Sequence, residues 1–134
     1  MKIEGGCLCG QVRFSSEAGA VFQAVCHCRD CQKQSGTAYS VVVGVPAAAL
    51  EVTGETASYE GAGDSGGKVE RVFCPRCGSP ILTRADAAPG LAILKAGVLD
   101  DTSWVQPQVH VWAQSAMACT AIPEGVPAFA RNMG

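Results

Sequence analysis

The chain has few aromatic residues, little charge and no run of basic residues. Of its 134 residues, 6% are aromatic and 16% are charged, whereas 48% are apolar. This balance is typical of a globular domain and not of a disordered tail, and we expect its core to consist mainly of small and β-branched side chains. The formal net charge of −2 and the lack of basic clusters argue against a nucleic-acid partner.

Long apolar stretches are also missing. The longest, residues 41–50, is interrupted by Gly44 and Pro46 and is too short to cross a bilayer. The amino-terminal residues 1–6 lack the apolar segment of a signal peptide. We therefore expect a cytoplasmic protein without a membrane partner. The length predicts a single domain over residues 1–134.

The secondary-structure signals favour strands over helices. No stretch shows a long amphipathic period of 3.6 residues, and short β-branched segments alternate with glycine and proline. The glycine-rich residues 61–67 predict the tip of a hairpin, and residues 46–50 predict a single helical turn that begins at proline. The predicted fold class is therefore mainly β. The predicted strands are residues 12–14, 21–26, 38–45, 56–59, 68–73, 91–99 and 109–112.

Cysteine, by contrast, is abundant. Seven of the eight cysteines fall into three tight clusters, which are Cys7 and Cys9, then Cys26, Cys28 and Cys31, then Cys74 and Cys77. In a chain without signs of secretion, such clusters indicate metal ligands and not disulfides. Seven thiolates are one short of two filled four-cysteine sites. The count therefore indicates one structural zinc and one zinc with an open position.

Cys74 and Cys77 form a C-x-x-C turn followed by glycine, which is the pattern of a zinc knuckle. A thioredoxin-like redox pair would open a helix, which the proline three residues after the turn opposes. A knuckle needs two further ligands. Cys7 and Cys9 are candidates, because side chains at i and i+2 lie on the same face of an extended chain. The alternative is that Cys7 and Cys9 are two buried, inert thiols.

Cys26, Cys28 and Cys31 remain for a second zinc. Three thiolates from six residues leave one face of the metal uncovered, as in catalytic zinc sites. His27 points away from its neighbours in an extended segment and is a poor fourth ligand. Cys119 stands alone. It is either a small core residue or a fourth ligand that closes this site from a distance.

A competing arrangement joins Cys28 and Cys31 with Cys74 and Cys77 in one site. The segment between the two turns, residues 32–73, is longer than in usual zinc ribbons. This arrangement also leaves three clustered cysteines unused, so we rank it second. A disulfide scaffold ranks last.

Four motifs that span nearly the whole chain resemble the glutathione-dependent formaldehyde-activating enzyme family, which includes centromere protein V. They are GCLCGQVRF at residues 6–14, CHCRDCQKQSG at 26–36, FCPRCGS at 73–79 and HVW at 110–112. They come in the order found in the family. One position departs from the family pattern, since Cys119 stands where a tryptophan is usual, and this puts the shape of the pocket in doubt.

The resemblance implies a β-tent fold, in which small antiparallel sheets surround a structural zinc. It implies that the structural zinc binds Cys7, Cys9, Cys74 and Cys77 and that a second zinc binds Cys26, Cys28 and Cys31. Because three ligands hold a metal less firmly than four, we expect this second zinc to be labile. The implied activity is condensation of formaldehyde with glutathione to S-hydroxymethylglutathione, which is a carbon–sulfur lyase reaction run in reverse. The partners would be a small-molecule thiol and an aldehyde, and the sequence leaves a homodimer open.

Few other side chains are candidates for this chemistry. His27 and His110 are the only imidazoles and could donate or accept a proton, although each could instead be a structural residue. Arg29, Lys33, Gln34 and Ser35 follow the second cluster and could bind glutathione; solvated surface side chains are the alternative. Two rival functions remain open: a non-catalytic thiol carrier and a purely structural zinc domain for protein interaction.

Overall fold

The computed structural model describes residues 2–132, and within them the chain forms ten strands, one α-helix and three short 3₁₀ turns. The strands are β1 Ile3–Gly6, β2 Arg13–Ser16, β3 Phe22–Cys26, β4 Ser40–Pro46, β5 Leu50–Thr53, β6 Ala57–Ala62, β7 Lys68–Phe73, β8 Pro80–Ala85, β9 Leu91–Lys95 and β10 Val109–Val111. The helix α1 is Arg29–Ser35, and the 3₁₀ turns are Ala47–Ala49, Ala96–Val98 and Ala113–Ser115.

The strands form two sheets. The smaller sheet has the order β1-β2-β5, and the larger has the order β10-β3-β4-β9-β8-β7-β6. Neighbouring strands are antiparallel except β10 and β3, which are parallel. The chain is therefore mainly β, and this confirms the β-tent fold class predicted from the sequence. Among the described residues, no helix is long and apolar enough to span a membrane.

Buried side chains from both sheets form the main core. Ile3 and Phe14 of the smaller sheet belong to the same cluster as Val43, Leu82 and Leu94 of the larger one. Most other members are valine, leucine, isoleucine or alanine, which is the small and β-branched core expected from the composition. Two cysteines, Cys7 and Cys74, are buried in this cluster. Two of the candidate metal ligands are therefore part of the core.

Several boundaries differ from the prediction. The predicted strand at residues 91–99 ends at Lys95, because a 3₁₀ turn follows. The strand predicted from residue 38 begins at Ser40, and the strands β1, β5 and β8 were not predicted. The hairpin of β6 and β7 and the helical turn after Pro46 lie where they were predicted.

The helix α1 was not predicted either. It is only seven residues long, too short to show a helical period. It forms because Cys28 caps its first turn, accepting a hydrogen bond from the Cys31 backbone N–H. It ends at Gly36, whose φ of 72° is a left-handed conformation that favours glycine. The helix thus begins at a member of the second cysteine cluster, because Cys28 accepts a hydrogen bond from the backbone three residues later.

Gly5 gives a test of how tightly β1 packs, because this strand leads into Cys7 and Cys9. A Cβ at Gly5 would overlap the carbonyl oxygen of Val98 and the ring of Phe14. We expect Gly5→Ala to lower the free energy of unfolding by about 2 kcal/mol, the usual cost of overpacking. Chemical denaturation of the purified protein measures it. Gly97→Ala is the control, since nothing lies near its added methyl group; equal stability of the two variants would contradict the prediction.

Candidate metal centres

Four cysteine side chains from two segments that are distant in the sequence lie close together. Cys7 and Cys9 follow β1, whereas Cys74 and Cys77 follow β7. The Sγ atoms of Cys7 and Cys9 are 3.5 Å apart, and those of Cys9 and Cys74 are 3.8 Å apart. All four sulfurs lie within 4.8 Å of one another. We call this set the four-sulfur group.

Backbone hydrogen bonds shape both turns of the four-sulfur group. The Val12 N–H donates to Cys7 Sγ at 3.2 Å, and the Gly78 N–H donates to the Cys74 carbonyl at 2.8 Å. Ser79, which the sequence did not single out, joins the two turns. Its Oγ accepts from the Leu8 N–H at 3.0 Å and lies 3.3 Å from the Cys77 Sγ. Hydrogen bonds from Ser79 lower the pKa of Cys77 to about 5, which favours a thiolate.

These distances fit a tetrahedral metal site. Zinc–sulfur bonds of about 2.3 Å at tetrahedral angles place neighbouring sulfurs about 3.8 Å apart. The measured separations of 3.5 and 3.8 Å agree with that value. A set of four thiolates leaves no position for water or substrate, so this group suits a structural metal.

Three further cysteines form a second set, the three-sulfur group. Cys26 ends β3, Cys28 caps α1 and Cys31 lies in its first turn. Their sulfurs lie within 4.8 Å of one another, and all three residues are half-buried. Hydrogen bonds from Cys26 and Cys31 lower the pKa of Cys28 to about 2. Hydrogen bonds with Cys28 and, to a lesser extent, with Cys31 raise the pKa of Cys26. These contacts favour the thiolate form at Cys28.

The structure does not bring a fourth ligand to the three-sulfur group from within residues 2–132. Cys119 is exposed, and its Sγ lies 4.0 Å from Thr120 Oγ1. All eight cysteines carry free thiols, so the disulfide scaffold finds no support here. The sulfurs form the two groups that the cysteine spacing favoured. Cys28 and Cys31 lie in a different group from Cys74 and Cys77, which argues against the competing arrangement.

Lys95 is a functional candidate that the sequence analysis missed. It is only 7% exposed, and its Nζ donates to Ser40 Oγ at 2.9 Å. Ser40 is the cross-strand partner of Cys26. The hydrogen bond to Ser40 therefore brings the ammonium close to one member of the three-sulfur group. Burial lowers the pKa of Lys95, and the charges of Cys31 and Cys26 oppose that shift. No sequence motif indicates Lys95, because only the pairing of β3, β4 and β9 brings it close to the three-sulfur group.

The two histidines form a buried pair. His27 is fully buried and His110 is 7% exposed. His27 Nε2 lies 2.9 Å from His110 Nδ1, and the rings stack with centroids 5.1 Å apart. His27 Nδ1 is buried without a hydrogen-bond partner among the described residues. His27 lies outside the three-sulfur group, as its extended backbone predicts.

The four candidates for glutathione binding separate into two kinds. Arg29 donates to the side-chain oxygen of Gln32, and Ser35 Oγ donates to a backbone carbonyl one turn earlier at 2.7 Å. Both therefore make contacts within α1. Lys33 and Gln34, by contrast, line a cavity of about 460 Å³ between α1 and the β6–β7 hairpin. We call it the α1 cavity.

A second cavity of about 480 Å³ is lined in part by residues of β3, β4 and β10. His110, Tyr39 and Cys119 are among the residues that line it. Cys119, the position at which the chain departs from the pattern of the family it resembles, therefore faces this cavity and not the three-sulfur group.

Comparison with known proteins decides the family. A model of the glutathione-dependent formaldehyde-activating enzyme family matches residues 2–115. The chain belongs to this family. The resemblance carried by the four sequence motifs is thereby confirmed, and the cysteine groups that could bind a metal fit that membership.

Individual relatives are distant. Proteins of Aspergillus flavus and Aspergillus oryzae, provisionally named glutathione-dependent formaldehyde-activating enzymes, are each 27% identical over 125 residues, which cover 90% of this chain and 65% of theirs. A Penicillium rubens protein with the same name is 27% identical over 110 residues, covering 80% of this chain and 57% of its own. The chain thus spans less than two thirds of the length of these relatives.

A solved structure supports the fold. The crystal structure of a Rhodobacter sphaeroides protein matches with a TM-score of 0.59 and 19% identity. The match covers 72% of this chain and 87% of that chain.

The histidine pair gives a pH-dependent prediction. Burial lowers the pKa of His27, with a contribution from His110, and burial also lowers that of His110. Unfolding returns both to the ordinary value of 6.5. The unfolded chain therefore binds more protons just below that pH, and the free energy of unfolding falls as pH falls from 6.5 towards the lowered pKa values.

We expect NMR titration of the imidazole carbon-bound protons to give midpoints below 6.5 for both residues. In the control variant His110→Gln, one set of signals disappears, which assigns the other. A midpoint at or above 6.5 for either histidine would contradict this description of the pair.

Proposed function

We propose that the protein is a zinc-dependent enzyme of the carbon–sulfur lyase type that handles adducts of glutathione, or a similar thiol, with small aldehydes such as formaldehyde. The observation that carries the proposal is the three-sulfur group, which offers three ligands where the four-sulfur group offers four. Family membership supports the thiol and the aldehyde as reactants. We further propose that the protein is cytoplasmic and that residues 1–134 act as a single domain.

The two sulfur groups have different proposed roles. Cys7, Cys9, Cys74 and Cys77 would hold a structural zinc and fasten the amino-terminal strand. Cys26, Cys28 and Cys31 would hold a second zinc, and zinc bound there supplies Lewis acidity that lowers the pKa of a thiol in the remaining position. With three ligands instead of four, this second metal is the more labile one.

The chain's own charges favour an anionic sulfur at the three-sulfur group. Three thiolates with one divalent metal would carry a net charge of −1, which the buried Lys95 ammonium would offset. Desolvation strengthens this attraction, because the side chain is 7% exposed. Ser40 Oγ accepts a hydrogen bond from the ammonium at 2.9 Å and so fixes its position.

The chemical step itself is simple. The thiol sulfur bonds to the carbonyl carbon of formaldehyde, the carbonyl π electrons move to oxygen, and the proton that leaves sulfur ends on that oxygen. Burial lowers the pKa values of His27 and His110 below the ordinary value. Both imidazoles would therefore be neutral at pH 7. A neutral imidazole can accept the sulfur's proton but is a weak proton donor.

Two other functions stay in view. A non-catalytic carrier would bind glutathione at the same group without changing its reaction with formaldehyde. A structural domain for protein interaction would need no second metal. A homodimer is compatible with each of the three functions.

The enzyme proposal predicts faster exchange between formaldehyde, glutathione and S-hydroxymethylglutathione. Two-dimensional NMR exchange spectroscopy measures that rate with and without the two-zinc protein. We expect Cys28→Ala to abolish the acceleration and to reduce the metal content from two zinc ions to one. Cys119→Ala is the matched control and should retain both, because that thiol lies outside the group.

The rival functions give different results in the same experiment. Saturable glutathione binding without acceleration would favour the carrier and overturn the enzyme proposal. One zinc per wild-type chain, or a second that survives Cys28→Ala, would favour the structural domain.

A further inference from the structure

The α1 cavity lies along the helix that carries two members of the three-sulfur group, Cys28 and Cys31. Asp30, which lines it, lies between Cys28 and Cys31 on the first turn of α1. Gln34, which also lines it, follows Cys31 by three residues, or about 4.5 Å along the helix axis. Its volume of about 460 Å³ is in the range of small-molecule sites. A ligand whose sulfur lies at the group could therefore extend along α1 into this cavity.

Charges of both signs line the α1 cavity. Lys33 and Arg71 supply cations, and Asp30 supplies a carboxylate. The Arg71 side chain is 14% exposed, and its distance of 3.8 Å to the Asp30 carboxylate is beyond hydrogen-bond length. A guanidinium has five N–H donors in a planar fork that suits a carboxylate. Arg71 therefore retains donors for a ligand.

A neutral acceptor completes the lining. Gln34 Oε1 is buried and has no hydrogen-bond partner among residues 2–132. A buried carbonyl oxygen is unfavourable without a donor, and a ligand N–H in the cavity would satisfy it. Asp30 and Gln34 are one turn apart on the same helix, so both can accept from one ammonium group.

We propose that the α1 cavity binds the α-amino-acid head group of the thiol, with its carboxylate towards Arg71 and Lys33 and its ammonium towards Asp30 and Gln34 Oε1. This inference rests on the proposed function, because it assumes that the thiol sulfur lies at the three-sulfur group. The γ-glutamyl end of glutathione carries such a head group. Its α-carbon lies seven bonds from the cysteine sulfur, a reach of roughly 8 Å when extended.

The glycyl end of glutathione offers a different occupant. It carries a carboxylate without an ammonium and would use only Arg71 and Lys33. The pairing of acceptors with cations in one cavity favours the zwitterionic head group, since Asp30 would repel a lone carboxylate.

S-methylglutathione tests the cavity apart from the thiol chemistry, because its sulfur is blocked. NMR titration of the ¹⁵N-labelled, zinc-loaded protein gives its Kd and those of two analogues, one lacking the α-amino group and one lacking the α-carboxylate. We expect each analogue to bind about tenfold more weakly, as for loss of a charge-assisted contact. Equal affinity for the des-amino analogue would overturn the head-group assignment and leave only a carboxylate site.

Protein variants locate each contact. Asp30→Asn should weaken binding of S-methylglutathione but not that of the des-amino analogue, which has no ammonium to donate to Asp30. Arg71→Gln should weaken binding of S-methylglutathione about tenfold, whereas the control Arg84→Gln should not, because Arg84 pairs with Glu70 at 3.6 Å. Lys33→Gln repeats the test at an exposed position where folding is not at risk. Unchanged affinity in both Asp30→Asn and Lys33→Gln would overturn the proposal.

The two proposals fail separately. If the analogues are discriminated but formaldehyde exchange is not accelerated, the cavity assignment stands and the enzyme function falls. If exchange is accelerated but all three ligands bind alike, the enzyme function stands and the cavity assignment falls.

Discussion

The convergence of four sulfurs from Cys7, Cys9, Cys74 and Cys77 is the constraint on which the rest of the fold depends. It joins the segment after β1, in the smaller sheet, to the turn between β7 and β8, in the larger sheet. The hydrogen bonds of Ser79 hold the same two turns in register. In a core of mostly small side chains, a metal held here would contribute much of the folding free energy.

The three-sulfur group depends on this frame indirectly. It lies on β3 and α1, and the register of β3, β4 and β9 places Lys95 close to it. The β7 strand, which ends at the four-sulfur group, also carries Arg71 to the α1 cavity. The two sulfur groups thus share the larger sheet, and β7 connects the four-sulfur group to a cation in the α1 cavity.

The sequence predicts the sulfur groups well and their surroundings poorly. Cysteine spacing is local, so the division into four and three follows from turns and extended segments of a few residues. Lys95 and Arg71 reach the site through strand pairing over long sequence separations, which no local pattern encodes. The short helix α1 escaped prediction because seven residues show no period. Of the four candidate residues near Cys31 in the sequence, Lys33 and Gln34 line the α1 cavity. Arg29 and Ser35 instead make hydrogen bonds within the helix.

The central claim is that one sulfur group is closed and the other takes the substrate's sulfur. An anomalous difference map at the zinc absorption edge, from crystals soaked with glutathione, tests it most directly. We predict two peaks, one surrounded by Cys7, Cys9, Cys74 and Cys77 and the other by three cysteine sulfurs and one glutathione sulfur. A single peak, or a second peak whose fourth ligand comes from the protein, would contradict the account.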